Sequence, residues 1–358
     1  MGGQERHHRD VPAAALARVA GTAAASGRTG EVLFSVTRGV FNDERSEFHG
    51  DPDRPFALAS ATKLFTTALM VQLRREGLVD WDQPFVGYLP DLDTSAMHVR
   101  NGVDATAGIT VRHLLTHTSG LPDYFEDPRI DGSTTCGRIR DEDAGWDLAE
   151  VIRLTRSEQR PRFSPGTGVH YSDTNFQLLG GIIEHSLGLT FGEAVARRIA
   201  APLGLTHTYC FDAATVDRYP SIAPYFDGRV RVDTPLAMAC FGADGGVIST
   251  LRDGQRFLRA FFDGTLIPFE VLLGELCTGW RTVFGPIRYG TGLMRFQLPW
   301  GPPLDGHSGM SGVVMYVNQS SGTSIVGTTN QVRHRTVPYR MMLSLLTEEP
   351  EAKRRGNR

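Results

Sequence analysis

The sequence predicts an α/β protein of the α+β kind, with one antiparallel sheet built from both chain ends and a mostly helical lobe inserted between them. Strand-like segments cluster near the two ends, turn-rich helical segments fill residues 81 to about 225, and helical patterns flank the strands at both ends. We expect a discontinuous sheet lobe from 1–62 and 240–347, a helical lobe from 63–239 and a charged, disordered tail from 348–358. The cleft between the lobes is the expected place for a site.

The first elements follow from the spacing of apolar residues. We expect a helix, a strand, a weaker strand, a short strand and a second helix at 12–25, 31–37, 39–48, 56–59 and 64–77. Because the short strand runs directly into Ser60, this serine is expected at a strand-to-helix junction. Free N–H groups and the helix dipole favour developing negative charge at such a junction.

The later elements alternate between helices and strands. Helices are expected at 111–116, 146–155, 173–187, 191–200 and 251–263, and a strand at 246–249. Three further strands at 289–298, 312–318 and 323–329, with a hairpin turn at 318–322, precede a terminal helix at 337–346.

The composition is that of an ordinary globular protein. The chain has 358 residues, 41% hydrophobic and 22% charged, with a net charge of −3. No basic stripe with interleaved aromatic residues suggests nucleic-acid binding, and no apolar run suggests a signal peptide or a membrane span. The sequence thus predicts a cytoplasmic protein. Its four cysteines are widely spaced, which favours free thiols over a metal site, and no cofactor is expected.

Lysine is almost absent from this chain. Of 37 cationic side chains only Lys63 and Lys353 are lysine, and only Lys63 lies within the expected folded body. Arginine stays charged in proteins, whereas lysine can be driven to the neutral amine. Lys63 follows Ser60 by three residues, and positions i and i+3 of a helix share a face. This spacing favours a serine nucleophile with a lysine that handles its proton.

Three further segments make the Ser-x-x-Lys pattern more specific. They are ITVRHLLTHTSGLPDY at 109–124, PGTGVHYSDTNFQLLGG at 165–181, and GHSGMSG at 306–312, which opens into a strand. Ser-x-x-Lys with a second and a third motif is the signature of penicillin-recognising serine enzymes.

With these motifs in order, the chain from about 30 to 346 resembles the class C β-lactamase-like serine hydrolases. That family includes class C β-lactamases, DD-carboxypeptidases, D-amino-acid amidases, D-aminopeptidases and esterases. The resemblance implies the β-lactamase/penicillin-binding-protein-like fold and an acyl-enzyme mechanism.

Residue roles follow from the resemblance, position by position. It implies that Ser60 is the nucleophile, Lys63 its proton-handling partner and Tyr171 the general base. His307 stands where the β-lactamases have lysine and many carboxypeptidases and esterases have histidine. The backbone N–H groups of Ser60 and of Met310, on the edge strand after the His-x-Gly motif, would form the oxyanion hole.

The surrounding residues carry further expectations. A phenol near Lys63, and near His307 if that histidine is protonated, should have its pKa lowered toward neutrality. Ser308 and Gly309 are expected to bind substrate, Gly309 by letting the substrate approach the strand backbone. His113 and His117 are interpreted as structural residues.

Asp173 is the main departure from the family pattern. Many relatives have asparagine at this third position of the tyrosine motif, and its amide donates to a substrate carbonyl. An ionised Asp173 only accepts hydrogen bonds, and it should pair with Lys63 and favour the ammonium form. This suits an ester, or a substrate that presents an amine or hydroxyl group.

Several functions remain open from the sequence. The first is a hydrolase for a small ester or amide that forms an acyl-enzyme on Ser60. The alternatives are an acyltransferase, a D-amino-acid-specific peptidase or amidase, and a non-catalytic penicillin- or acyl-binding sensor. The segment 126–146, which contains Cys136, is expected to lie beside the cleft and to influence specificity.

Overall fold

The structure, a computed structural model, describes residues 7–39 and 45–347. The expected disordered tail, 348–358, and residues 40–44 of the expected weak strand lie outside this range. Within it, no helix combines the length and apolar character needed to cross a bilayer.

The strands in chain order are β1 (Leu33–Arg38), β2 (Arg45–His49), β3 (Phe56–Ala57), β4 (Val99–Arg100), β5 (Val103–Asp104), β6 (Tyr209–Cys210), β7 (Phe226–Asp227), β8 (Val230–Arg231), β9 (Val247–Ser249), β10 (Arg281–Phe284), β11 (Ile287–Tyr289), β12 (Met294–Phe296), β13 (Leu304–Gly309), β14 (Val313–Asn318) and β15 (Thr323–Thr328). The α-helices are α1 (His7–Ala25), α2 (Lys63–Arg75), α3 (Val111–Leu115), α4 (Thr135–Asp141), α5 (Leu148–Ser157), α6 (Asp173–Leu187), α7 (Phe191–Val195), α8 (Ala201–Leu203), α9 (Pro235–Met238), α10 (Gly242–Gly245), α11 (Leu251–Phe262), α12 (Phe269–Val271) and α13 (Val337–Thr347).

One eight-stranded sheet forms the framework, in the order β10-β11-β12-β13-β14-β15-β1-β2, with every neighbouring pair antiparallel. Its strands come from the two chain ends, which confirms the predicted fold class. The inner strands β14 and β15 are buried along their whole length, as expected for strands covered on both faces. The terminal helices α1 and α13 pack on each other and on this sheet, and α11 packs on β1, β14 and β15.

One strand prediction was wrong. The expected strand at 289–298 is broken into β11 and β12, which pair as a hairpin with Tyr289 opposite Met294. The break lies at a close contact with α2, where a Cβ on Gly292 would stand 2.1 Å from Oγ1 of Thr67 and where φ is +76°. The sequence also did not predict β10 or β13 of this sheet.

The short strand before Ser60 does not join the main sheet. It pairs as β3 with β9, which also pairs with β6 in a separate three-stranded sheet. The chain then enters a 3-10 turn at Ala59–Thr62, which packs against β13 and leads into α2. This contact brings the end of β3, the start of α2 and the end of β13 together.

Candidate active site

Ser60 lies in the 3-10 turn between β3 and α2, as the sequence predicts for a strand-to-helix junction. The residue before it, Ala59, has φ of +47°, a left-handed conformation that costs a non-glycine residue about 1–2 kcal/mol. The turn leaves Ser60 half-buried on the wall of a cleft. Strain of this kind is typical of residues whose position is fixed by their surroundings.

Lys63 is fully buried at the start of α2. Its Nζ lies 2.6 Å from Oδ1 of Asp173 and donates to the carbonyl oxygen of Asp244 at 2.7 Å. Burial alone would lower the pKa of the Lys63 ammonium, but attraction to Asp173 and Asp244 outweighs burial and raises it. The ion pair expected from the sequence is therefore present, and Lys63 is protonated at neutral pH.

Tyr171 lies beside this ion pair, with Lys63 Nζ 5.1 Å from the centre of its ring. Its hydroxyl is buried and makes no hydrogen bond of ordinary geometry among the described residues. Burial, and then repulsion by the Asp173 carboxylate, raise the pKa of Tyr171 well above its usual value, while the nearby Ser60 side chain opposes the rise. The prediction of a lowered pKa was wrong, because burial and the Asp173 carboxylate both disfavour the phenolate.

His307 is also fully buried, on the inner strand β13. Burial, and then repulsion by Lys63, lower its pKa to about 3, so the imidazole is neutral near pH 7 and is not a second cation beside Tyr171. Its Nδ1 lies 2.7 Å from the carbonyl oxygen of Ser308, and its Nε2 lies 3.3 Å from the hydroxyl oxygen of Tyr289. These partners assign the proton to Nδ1 and the lone pair to Nε2, which accepts from Tyr289.

Two backbone N–H groups at the cleft are unused. Within the part of the chain that the structure describes, neither Ser60 nor Met310 donates its backbone N–H in a hydrogen bond, and both residues line the cleft. Met310 was expected on an edge strand. It instead follows β13, which pairs with β12 and β14. The pairing with β12 ends at Gly306, so the last residues of β13 have a strand neighbour on one side only.

Gly309 is needed for a reason that the sequence did not indicate. A Cβ there would lie 2.4 Å from the carbonyl oxygen of Leu58 and 2.9 Å from Cβ of Ala59. The glycine thus lets β13 pack against the backbone that carries Ser60. Ser308 is buried away from the cleft, where its hydroxyl accepts from Tyr339 at 2.5 Å.

Residues from several elements line the cleft. Besides Ser60, Asp173, Asp244 and Met310, most of its lining side chains are apolar, and several come from the segment 126–146, as the sequence predicts. The lining comprises Ala57, Ala59, Phe125, Cys136, Ile139, Arg140, Tyr225, Val232, Met238, Phe241, Gly245, Ser311 and Val332. Among the described residues, no three His, Cys, Asp or Glu side chains are grouped as a metal site.

Sequence reasoning missed Asp244. Its Oδ2 accepts from the hydroxyl of Tyr124 and from Nε2 of Gln177, each at 2.9 Å. Burial, and then repulsion by Asp173, raise the pKa of Asp244 well above its usual value. The available signal was weak: an acidic residue within the glycine-rich run 242–246.

His117 supports Tyr171, in agreement with its interpretation as a structural residue. Its ring centre lies 4.4 Å from that of Tyr171, and Nδ1 accepts from the backbone N–H of Ser172 at 3.1 Å. Burial, and then repulsion by Lys63, lower the pKa of His117 well below its usual value. His117 is therefore a neutral packing partner of the tyrosine.

Comparisons with known proteins agree with this geometry. The family model described as Beta-lactamase matches residues 10–346. Among curated proteins, monacolin J acid methylbutanoyltransferase of Aspergillus terreus is 36% identical over 213 residues, covering 54% of this chain and 49% of that protein. Esterase EstB of Burkholderia gladioli is 30% identical over 217 residues, covering 59% and 52%. The chain thus spans about half the length of these relatives.

A solved structure matches over a larger part of the chain. A D-stereospecific amidohydrolase from Streptomyces sp. superimposes with a TM-score of 0.71 at 29% identity, covering 90% of this chain and 95% of that one.

Proposed function

Because the chain belongs to the beta-lactamase family, we propose that it is a serine hydrolase that cleaves a small ester or amide through an acyl-enzyme on Ser60. The observation that carries this proposal is that Ser60 and Met310 both line one cleft, and that neither donates its backbone N–H in a hydrogen bond among the described residues. Two such donors stabilise the oxyanion that develops when a carbonyl is attacked.

The protonation states of Tyr171 and Lys63 indicate how Ser60 is activated. The raised pKa of Tyr171 disfavours a phenolate in the resting protein, and Asp173 keeps Lys63 in its ammonium form. Tyr171 therefore acts as a relay. As the bond from Ser60 Oγ to the acyl carbon forms, the serine proton moves to the Tyr171 oxygen, and the phenol proton moves to the oxygen or nitrogen of the leaving group.

Deacylation reverses this relay. Water attacks the acyl carbon, its proton passes to the Tyr171 oxygen, and the phenol proton returns to Ser60 Oγ as the acyl bond breaks. Lys63 keeps its proton throughout and favours the negative charge that passes over Tyr171, whose ring centre is 5.1 Å away.

Acyl transfer to an alcohol or amine is the second candidate. It is supported by the 36% identity to a methylbutanoyltransferase over 54% of this chain. In this case an acceptor hydroxyl or amine would take the place of water and lose its proton to Tyr171.

The test is a burst experiment with p-nitrophenyl butyrate, followed by intact-mass analysis. A hydrolase releases p-nitrophenol in a burst and then turns over steadily, with transient butyryl adducts that are absent in Ser60→Ala. Stoichiometric labelling of Ser60 without turnover would instead identify an acyl-binding protein. Acceleration by added alcohols or amines, with the corresponding product, would identify an acyltransferase.

A further inference from the structure

We propose that a second pocket, between α4 and α5, binds a small monocarboxylate that has an apolar body. This α4–α5 pocket is lined by residues of both helices and of the loops around them, including Arg129, Thr135, Ile139, Trp146, Val151 and Leu154. The inference goes beyond the proposed function, because it concerns a site other than the Ser60 cleft and does not depend on acyl-enzyme chemistry.

Helix α4 separates the α4–α5 pocket from the cleft. Cys136 and Arg140 of this helix line the cleft. Thr135 and Arg138 line the α4–α5 pocket, and Ile139 lines both. The helix is therefore a wall shared by two sites, and a ligand in one of them does not occupy the other.

The α4–α5 pocket has an exposed rim and an apolar interior. Glu142, Ala144 and Gly145 belong to its lining and are exposed, so the pocket is accessible from solvent and water screens the charge of Glu142. Val151 and Leu154 of α5 are 0% and 3% exposed and line the interior. Apolar surface of this kind contributes to binding when the ligand covers it with hydrocarbon of its own.

Arg129 brings an incompletely bonded guanidinium to this pocket, with a side chain that is 9% exposed. Its Nη2 donates to Oγ1 of Thr135 at 3.1 Å, and its Nη1 lies 3.4 Å from Oε2 of Glu158. Its Nε is buried and has no hydrogen-bond partner among the described residues. A buried charged donor without an acceptor is unfavourable, so this N–H favours an oxygen atom of a ligand.

Trp146 supplies a second buried donor, since its Nε1 also has no partner in the described part of the chain. Its ring centre lies 5.7 Å from that of Tyr124. The Thr135 hydroxyl, which accepts from Arg129, donates to the carbonyl oxygen of Tyr124. These contacts bring the indole and the guanidinium to the same part of the pocket. Both groups only donate hydrogen bonds, so a group that only accepts can satisfy both.

The acidic groups next to Arg129 are shared with another arginine. Both carboxylate oxygens of Glu150 accept from Arg153 at 2.7 Å, and Glu158 also pairs with Arg153, at 2.8 Å. Burial, and then repulsion by Arg138, lower the pKa of Arg129, and attraction to Glu158 does not offset them. The charge of Arg129 is thus incompletely compensated, and a bound anion would stabilise it.

The donors and the apolar interior together define the class of ligand. A carboxylate only accepts hydrogen bonds and forms strong ones with a guanidinium. Inorganic phosphate also accepts, but it leaves the apolar surface of Val151 and Leu154 uncovered. An amine would bring a second positive charge toward Arg129. Benzoate combines the favourable features and is therefore the probe.

The test is a titration of the full chain with benzoate, followed through the indole N–H signals in a proton–nitrogen correlation spectrum. The chain has four tryptophans, and the Trp146 signal is the one missing from the spectrum of Trp146→Phe. We expect a saturable downfield shift of this signal, with a Kd of about 1 mM or lower, because its N–H gains an acceptor. Benzamide, benzylamine and inorganic phosphate should each bind about tenfold or more weakly.

Arg129→Gln removes the guanidinium and should weaken benzoate binding about tenfold or more. Because Arg129 is buried, Ala144→Phe is a second variant that keeps every buried group and adds a ring at the exposed rim. It should weaken binding by a similar factor. The matched control is Arg140→Gln, on the cleft side of α4, which should bind benzoate as the wild type does.

Three outcomes would overturn the inference. The first is a Trp146 signal that does not shift saturably at tens of millimolar benzoate, which would mean that water satisfies both donors. The second is benzamide or phosphate binding as tightly as benzoate. The third is benzoate binding that is lost in Arg140→Gln and kept in Arg129→Gln, because the anion would then occupy the Ser60 cleft.

Discussion

The hydroxyl oxygen of Tyr289 lies 3.3 Å from Nε2 of His307, and both side chains are fully buried. Because Nδ1 of His307 donates to the carbonyl oxygen of Ser308, Nε2 has a lone pair, and Tyr289 is its donor. Tyr289 thus fixes the neutral tautomer of His307. The ring centre of Tyr289 lies 5.8 Å from that of Tyr171. We therefore expect Tyr289 to act as a positioning residue for His307.

Tyr289→Phe should lower kcat/KM for p-nitrophenyl butyrate about threefold to tenfold, mainly through kcat, since one hydrogen bond of about 1 kcal/mol is lost. A donor to Nε2 favours the neutral imidazole, so its removal raises the pKa of His307 and should move the acid limb of the pH–rate profile to higher pH. The control is Tyr209→Phe, on β6 of the small sheet. A pH–rate profile that matches the wild type would contradict this role for Tyr289.

The Lys63–Asp173 pair should dominate stability at the site. Lys63→Met leaves Asp173 buried without its cation, and we expect a loss of about 3–5 kcal/mol in the free energy of unfolding, measured with urea. Adding Asp173→Asn removes the uncompensated charge and should restore about half of that loss. Arg153→Met, which breaks an exposed ion pair with Glu150, should cost less than about 1 kcal/mol. Additive effects of the two buried substitutions would contradict the pairing.

Acidification should destabilise the protein through His307. Its folded-state pKa is about 3 and its ordinary value 6.5, so below pH 6.5 the unfolded chain binds a proton that the folded chain does not. Stability from this group is fully present above pH 6.5 and is lost as pH falls toward 3, with about 2 kcal/mol lost at pH 5. Urea unfolding of His307→Gln should show a correspondingly smaller decrease between pH 7.5 and 5. Other titrating groups, such as His117, are present in both proteins and cancel. Equal slopes would mean that His307 is not buried in its neutral form.

The parts of the site that were predictable from sequence are local ones. Ser60 and Lys63 are three residues apart at a strand-to-helix junction, so their proximity does not depend on distant packing. The rarity of lysine is a property of composition, and it singles out Lys63 without any knowledge of the packing around it. The fold followed similarly from strand patterns at the two chain ends.

The protonation states were not predictable, because they depend on contacts between distant segments. Tyr171 and His307 are buried by elements far apart in sequence, and Asp244 comes from α10. The break between β11 and β12 had a similar origin, since it arises where Gly292 meets Thr67 of α2. Periodicity within one segment contains no information on such contacts.

Gly309→Ala should displace the turn that carries Ser60, because Gly309 packs directly against the backbone of that turn. The new Cβ would lie 2.4 Å from the carbonyl oxygen of Leu58, so β13 or the turn that holds Ser60 must move, at a cost of about 1–3 kcal/mol. We expect a loss of ester turnover of tenfold or more, because both proposed oxyanion donors, Ser60 and Met310, lie on the displaced segments. Gly301→Ala is the matched control, since nothing lies within 4 Å of its added Cβ. Normal turnover in Gly309→Ala would show that this close approach is not required.

Ala59→Gly should separate stability from activity at the turn that presents Ser60. Ala59 has φ of +47°, and glycine adopts this conformation without the steric cost of a Cβ, although it also gains freedom in the unfolded chain. The net result should be a gain of about 0.5–1 kcal/mol in the free energy of unfolding. Ester turnover should nevertheless fall several-fold, because a more flexible residue 59 lets the Ser60 hydroxyl leave the position set by the turn. Ala96→Gly, at φ of +55° and outside the cleft lining, should show a similar gain in stability with unchanged turnover. If Ala59→Gly also keeps full turnover, the left-handed conformation at Ala59 has no part in holding the nucleophile.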